Sequence, residues 1–282
     1  AGRIIRKKSL KLGQRLRKSK IRALQNIHPH TLHLGAVGCN RIGTVHSFAN
    51  YRLIRKISQQ IAEHAPNAFV FMVTNQSDMM AEIAREYLPA RQVLGVGGII
   101  DSARFRYLLT NALRPHGDCP QENGHMIGYH TDDMIPLASS LTNDAVKEDV
   151  LASVVDATRR YGAEISALQK DATFPELSSS PSVSPGYAVY LAMAAFTGQI
   201  PSLEEAFNVA LEDPALAQIW GVPTGAALSI PIRLRQGGYD VIAEHRLTSH
   251  ERGHMGSAQA AMATTLAQLK YECEKGDGFD LW

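Results

Sequence analysis

Cysteines are few in this sequence, and none of the three belongs to a Cys-x-x-Cys pair. An odd, widely spaced set (Cys39, Cys119 and Cys273) argues against a disulfide framework and against a cysteine-bound zinc ion. The histidines around residue 30 have no carboxylate or thiol beside them, so we predict no metal site. The sequence also lacks an apolar run long enough to cross a bilayer, and we therefore expect no membrane span.

Acidic residues are absent from the first 62 positions, which contain 14 Lys or Arg. The other 220 residues reverse this balance, with 15 basic against 27 acidic residues. A dense basic block repels itself unless an anionic partner neutralises it. We therefore predict a basic N-terminal arm, residues 1–30, that binds RNA or an acidic protein surface. The predicted contact residues are Arg3, Arg6, Lys7, Lys8, Lys11, Arg15, Arg17, Lys18, Lys20 and Arg22.

The composition of this arm also bears on location. Mitochondrial targeting segments are rich in arginine and poor in acids, and residues 1–22 have both properties. We therefore expect a mitochondrial location, with a cytoplasmic location as the alternative.

Apolar patterning after residue 30 predicts an α/β fold. Dense apolar runs such as AFVFMVT at 68–74 are typical of strands buried on both faces of a parallel sheet, and helical spacing separates them. In order, the predicted segments are a strand at 31–37, a helix around 54–65, a strand at 68–74, a helix at 78–87, a strand at 92–96 and a helix at 101–113. This alternation predicts a partial, doubly wound parallel sheet in residues 31–120.

The second half, residues 121–282, predicts an α+β domain. Two strands joined by Gly237-Gly238 are expected to form an antiparallel hairpin. A long closing helix is expected to begin at Thr248 or Ser249, with Glu251 completing its cap. The predicted helices are 143–161, 185–197 and 249–271, and the predicted strands are 226–234 and 239–244.

Three groups of polar residues lie where a ligand crevice is expected. Asn75 follows a buried strand, and ligands of such sheets bind beyond the carboxyl ends of the strands. Asp101 and Arg104 share one helix face. His130 follows a glycine in a loop between the two halves, and imidazole suits proton transfer near neutral pH. The simpler alternatives are a helix cap, a surface ion pair and an exposed loop histidine.

The order of these groups resembles the malate and lactate dehydrogenases. Residues 73–80 are similar to the family segment that ends in Asn-Pro-x-Asp. The run Asp101-Ser102-Ala103-Arg104-Phe105-Arg106 resembles the family helix Asp-Ser-x-Arg-x-Arg, and Gly128-Tyr129-His130 resembles Gly-Glu-His. The resemblance continues to the end of the chain and implies a truncated Rossmann-type sheet followed by the α+β C-terminal domain of that family.

The resemblance also implies a role for each matched residue. His130 would be the general acid and base, and Asp101 would hold its ring. Arg104 would bind the substrate carboxylate, and Asn75 would contact both substrate and nicotinamide. Arg41 would close over the substrate and Gly38 would lie at the cofactor, in a shortened version of the family loop. The implied cofactor is NAD or NADP, and the implied substrate is a 2-oxo or 2-hydroxy dicarboxylic acid.

The sequence also departs from the family pattern. It contains no Gly-x-Gly-x-x-Gly unit with a following acid for the ribose, and Gln76 and Tyr129 replace a proline and a glutamate. Two hypotheses follow. The chain is a malate dehydrogenase-like 2-hydroxyacid oxidoreductase, or it is an inactive homologue without cofactor. In the second case it would be a structural subunit of a large assembly such as a mitochondrial ribosome. Family members form dimers or tetramers, so a homo-oligomer is also expected.

Overall fold

The computed structural model describes residues 31–34, 45–74, 76–114, 124–141, 146–171 and 183–275. The strands within these ranges are β1 (Thr31–Leu34), β2 (Phe69–Met72), β3 (Val93–Gly95), β4 (Met126–Ile127), β5 (Ile135–Pro136), β6 (Leu203–Ala210), β7 (Ala227–Arg235) and β8 (Gly238–Val241). The α-helices are α1 (Val45–His64), α2 (Ser77–Arg85), α3 (Gly97–Leu113), α4 (Glu148–Asp171), α5 (Val183–Phe196), α6 (Pro214–Ile219) and α7 (Ser249–Lys275).

One six-stranded sheet, in the order β1-β2-β3-β6-β7-β8, runs through both halves of the chain. The first three strands are parallel, and β6, β7 and β8 are antiparallel to one another. A separate two-stranded sheet pairs β4 with β5. The expected fold class, a Rossmann-type parallel sheet followed by an α+β part, is confirmed.

Burial explains why the apolar runs form strands here. All four residues of β2 and all three of β3 are buried, as expected for strands covered on both faces. Helices α1 and α2 pack on one face of the parallel strands, together with part of α7. No described helix has an apolar stretch of the length that a bilayer crossing requires.

Strand β6 is absent from the sequence-based prediction. Its sequence contains Glu204 and Glu205 side by side, and acidic residues are depleted in strands. Glu205 is nevertheless buried because two guanidinium nitrogens of Arg106, on α3, donate to its two carboxylate oxygens. A partner 99 positions away in the sequence therefore allows this strand to form.

Several helix boundaries also differ from the prediction, and α1 begins at Val45 rather than around residue 54. Helix α3 begins at Gly97 rather than residue 101, since Gly97 and Gly98 pack so closely against other segments that their low helix propensity is overridden. Helix α4 continues to Asp171 rather than residue 161. The predicted cap of α7 is confirmed: the Thr248 N–H donates to the Glu251 carboxylate at 2.6 Å, and the Glu251 N–H donates to the Thr248 hydroxyl at 3.1 Å.

Arg85 joins the parallel and antiparallel parts of the sheet. These parts meet where Gly95 of β3 lies opposite Asn208 of β6. The Arg85 guanidinium donates to the Asn208 side-chain oxygen at 2.8 Å and to the main-chain oxygens of Val93 and Asn208, each at 2.9 Å. Its side chain is only 6% exposed, so these hydrogen bonds form in a largely dry environment that strengthens them.

We expect Arg85→Ala to lower the free energy of unfolding by about 3–5 kcal/mol, since it leaves several buried acceptors without a donor. Urea titration followed by circular dichroism measures this loss. The matched control is Arg235→Ala, which removes a half-exposed pair with Asp240 at 2.7 Å and should cost less than about 1 kcal/mol. Equal losses in the two variants would contradict the role given to Arg85.

Candidate active site

His130 lies in a loop that is fastened to strand β7. Gly128 adopts a positive φ of 104°, a conformation that glycine tolerates best. It forms a two-way bridge with Ser229, through hydrogen bonds of 3.0 and 2.6 Å between their main chains. This bridge fixes the loop two residues before the histidine.

The His130 ring meets the buried carboxylate of Asp101. Nδ1 of His130 lies 2.6 Å from Oδ2 of Asp101, and the Asp101 side chain is only 2% exposed. Asp101 reaches this position because α3 begins directly after β3, at the carboxyl ends of the parallel strands. With Nδ1 bonded to Asp101, Nε2 is the ring nitrogen that remains for a substrate.

Arg104 lies one helical turn after Asp101 and approaches the same carboxylate. One of its terminal nitrogens is 3.6 Å from Oδ1 of Asp101, and its guanidinium lies over the Tyr161 ring at 5.9 Å from the centroid. Asp101 therefore contacts Arg104 as well as His130, whereas the family resemblance implied a different partner for Arg104, the substrate carboxylate. Among the described residues, Asp101 is the only acidic partner of Arg104, so further N–H groups of its guanidinium remain for a carboxylate ligand.

Two glycines at the start of α3 allow this close packing. A Cβ on Gly97 would lie 2.6 Å from Cβ of His130, and one on Gly98 would lie 2.8 Å from the main-chain oxygen of Ala206. Real Cβ atoms essentially never approach other heavy atoms so closely. Any larger residue at Gly97 would therefore displace the histidine.

A second buried carboxylate, Asp78, also contacts this loop. The His130 main-chain N–H donates to Oδ2 of Asp78 at 2.6 Å, and Asp78 is 2% exposed. The motifs in the sequence predicted no role for this residue, although it occupies the acid position of the Asn-Pro-x-Asp resemblance. An acid in the first turn of a predicted helix is ordinarily explained by the helix dipole alone, and only the folded structure shows its contact with the His130 main chain.

Charges around His130 favour the protonated ring. Burial alone would lower the pKa of His130, but the charge and hydrogen bond of Asp101 and the charge of Asp78 raise it above the ordinary 6.5. Arg104 opposes this effect. Because the pKa is raised in the folded state, the charged ring stabilises the protein below pH 6.5, and this stabilisation is lost as the pH rises through the folded-state pKa.

His125, five residues before His130, lies in surroundings that lower its pKa instead of raising it. Burial, followed by the nearby charges of Arg106 and His245, lowers the pKa of His125 to about 3. It therefore remains neutral at physiological pH. Of these two loop histidines, His130 is the one suited to exchange a proton near neutrality.

The remaining predicted site residues, Asn75, Arg41, Gly38 and the ten basic residues of the arm, lie outside the described residues. The neighbour of Asn75, Gln76, has a left-handed conformation with φ 61°. A proline cannot adopt this conformation, so the turn differs from one containing the proline that the resemblance implies. Tyr129 is buried, at 4% exposure, and burial raises its pKa. No group of three described His, Cys, Asp or Glu side chains could hold a metal ion.

Known malate dehydrogenases are similar in sequence to this chain. The malate dehydrogenase of Ehrlichia canis is 34% identical over 134 residues, or 43% of this chain and 42% of that protein. Malate dehydrogenase 1 of Anaeromyxobacter dehalogenans is 28% identical over 231 residues, or 78% of this chain and 68% of that protein. No family model matches the chain.

The fold points to the same relatives. The solved structure of malate dehydrogenase from Archaeoglobus fulgidus in complex with NADH superposes with a TM-score of 0.68 at 21% identity, covering 86% of this chain and 76% of that one. The chain spans less than half the length of the Ehrlichia relative. The sequence similarity, the shared fold and the order of the motifs make this chain similar to the malate and lactate dehydrogenases.

Proposed function

We propose that this chain is a malate dehydrogenase-like oxidoreductase that interconverts malate and oxaloacetate, or a related pair of 2-hydroxy and 2-oxo acids, with NAD or NADP. The observation that carries the proposal is the 2.6 Å contact between Nδ1 of His130 and Asp101, with Arg104 beside the same carboxylate. These are the groups that such a reaction requires: a proton donor, its orienting acid and a carboxylate-binding cation.

Each group has a defined part in the reduction of a 2-oxo acid. Arg104 binds the substrate carboxylate and so places the adjacent carbonyl near His130. As hydride adds to the carbonyl carbon, the carbonyl oxygen takes a proton from Nε2 of His130, which is left neutral. Asp101 keeps the ring oriented through Nδ1 and stabilises its protonated form. In the oxidation of a 2-hydroxy acid, the same nitrogen accepts the hydroxyl proton.

The hydride itself would come from reduced nicotinamide dinucleotide when that cofactor is bound. The described residues fit the substrate side of this chemistry, because a half-buried imidazole and a guanidinium meet at one carboxylate. Asn75 and Gly38, proposed for the cofactor, and Arg41, proposed for the substrate, lie outside the described residues. The complex of the Archaeoglobus relative with NADH supports NAD as the first cofactor to test.

We expect Asp101→Asn to lower kcat for oxaloacetate reduction by about 10²–10⁴-fold, the usual contribution of a positioned general acid. Reduction requires protonated His130, and Asp101 is the strongest contribution that raises the His130 pKa. The midpoint of the alkaline fall in activity should therefore move to lower pH, by about 1–3 units. NADH absorbance, followed over a range of pH with oxaloacetate and with pyruvate, measures both effects.

The control is His64→Gln, which alters an exposed histidine at the end of α1 and should leave the pH profile unchanged. His130→Gln should abolish turnover. If the wild-type protein reduces neither substrate and causes no change in NADH fluorescence on mixing, the enzyme proposal is wrong.

The second candidate function is that of an inactive structural subunit, anchored to RNA in a large assembly. The observation that favours it is the block of ten Lys and Arg in residues 3–22, within a stretch of 62 residues without an acid. A block of this kind binds phosphates without sequence preference. In this proposal the protein would act within a mitochondrial assembly such as a ribosome, and its dehydrogenase site would be unused.

Replacing those ten residues with Gln should abolish RNA binding if the arm is the anchor. For the wild-type chain, the logarithm of the binding constant should fall with the logarithm of salt concentration, with a slope of about −0.7 for each single-strand phosphate contact. Filter binding of a labelled RNA measures the slope. Lys56→Gln, an exposed base outside the arm, is the control. Retention that survives the ten replacements would exclude the arm as the anchor.

A further inference from the structure

His130 is held by two buried carboxylates on different helices. Asp101, on α3, contacts its ring at 2.6 Å, and Asp78, on α2, accepts its main-chain N–H at 2.6 Å. Asp78 is 52 positions away in the sequence. The other oxygen of Asp78 accepts a hydrogen bond from the Ser77 hydroxyl at 3.3 Å. Both oxygens of Asp78 therefore act as acceptors, the arrangement that favours an ionised carboxylate.

The surrounding structure leaves space for this second carboxylate. A Cβ on Gly95 would lie 3.2 Å from Oδ1 of Asp78, and one on Gly97 would lie 2.9 Å from the Ser77 hydroxyl oxygen. Asp78 also lies in the first turn of α2, where the helix dipole stabilises a negative charge. Two glycines and the start of α2 thus accommodate Asp78, which has no other role in the proposed reaction.

Burying a carboxylate is unfavourable unless hydrogen bonds or opposite charges compensate for lost hydration. Burial raises the pKa of Asp78, and the charge and main-chain N–H of His130 oppose this effect. The interaction is mutual, since the charge of Asp78 contributes to raising the pKa of His130. The charged groups that act on His130 are Asp101 and Arg104 on α3 and Asp78 on α2.

We propose that Asp78 is a positioning residue for His130, fixing its main chain and adding a second negative charge that favours the protonated ring. Gly128, bridged to Ser229, fixes the loop on one side of Tyr129, and Asp78 fixes it on the other. The catalytic consequence rests on the proposed function, whereas the effect on the His130 ring can be measured without turnover.

The test compares Asp78→Asn with Asp132→Asn by NMR titration of the His130 imidazole, assigned with His130→Gln. Asparagine can still accept the N–H but carries no charge, so the His130 pKa should fall by roughly 1 unit in Asp78→Asn. Asp132 is exposed and only two residues from His130, so its replacement should shift the pKa by less than about 0.2 unit. A His130 pKa that is unchanged in Asp78→Asn would overturn the proposal.

Kinetics separate this role from a purely structural one. In Asp78→Asn, kcat for oxaloacetate reduction should fall about tenfold at pH values above the His130 pKa, where one pKa unit changes the acid fraction tenfold. Well below that pKa, kcat should equal that of the wild type, and KM should be unchanged throughout. A uniform loss at every pH would contradict the electrostatic role. If the wild type shows no turnover, the NMR result still decides the role of Asp78, and the enzyme proposal fails alone.

A measurement on the wild-type chain covers the case in which Asp78→Asn does not fold. The His130 amide proton should be shifted strongly downfield by its carboxylate partner and should move upfield as the pH is lowered from neutral into the acid range and Asp78 is protonated. A His130 amide shift that stays constant over this range would overturn the proposal.

Discussion

The candidate site depends on one buried carboxylate, that of Asp101. A carboxylate with 2% exposure is stable only when cations and hydrogen bonds replace the water it has lost. Here His130 and Arg104 supply them, at 2.6 and 3.6 Å. This requirement makes the position of the histidine part of the stability of α3, so the groups suited to chemistry are also the groups that the fold needs at this point.

The glycines at the carboxyl ends of the parallel strands are required by the close packing around the same site. Gly97 and Gly98 weaken the start of a helix, yet any side chain would collide with His130 at one and with β6 and β7 at the other. The close approach of α3 to the His130 loop and to β6 and β7 outweighs the low helix propensity of these two glycines. Arg85 also stabilises this region, because its hydrogen bonds to Val93 and Asn208 hold β3 against β6.

The two loop histidines show how surroundings decide chemistry. His125 and His130 are five residues apart and indistinguishable by type. Burial beside Arg106 lowers the pKa of one to about 3, whereas two carboxylates raise the pKa of the other. From the sequence alone, His130 could be chosen over His125 only through its resemblance to a known family. The charges that give the two histidines different pKa values come from other elements of the fold.

The sequence by itself determined the parallel strands and the closing helix with its Thr248 cap, and its resemblance to a known family indicated Asp101, Arg104 and His130. Local apolar patterning, capping and short motifs carry this information, because neighbouring residues suffice to express it. Only the tertiary structure decided that β6 is a strand despite Glu205 and that Asp78 holds the His130 main chain. Each of these depends on a partner that lies far along the chain or across an element boundary. Local sequence patterns do not reveal such contacts, because they form only when the chain folds.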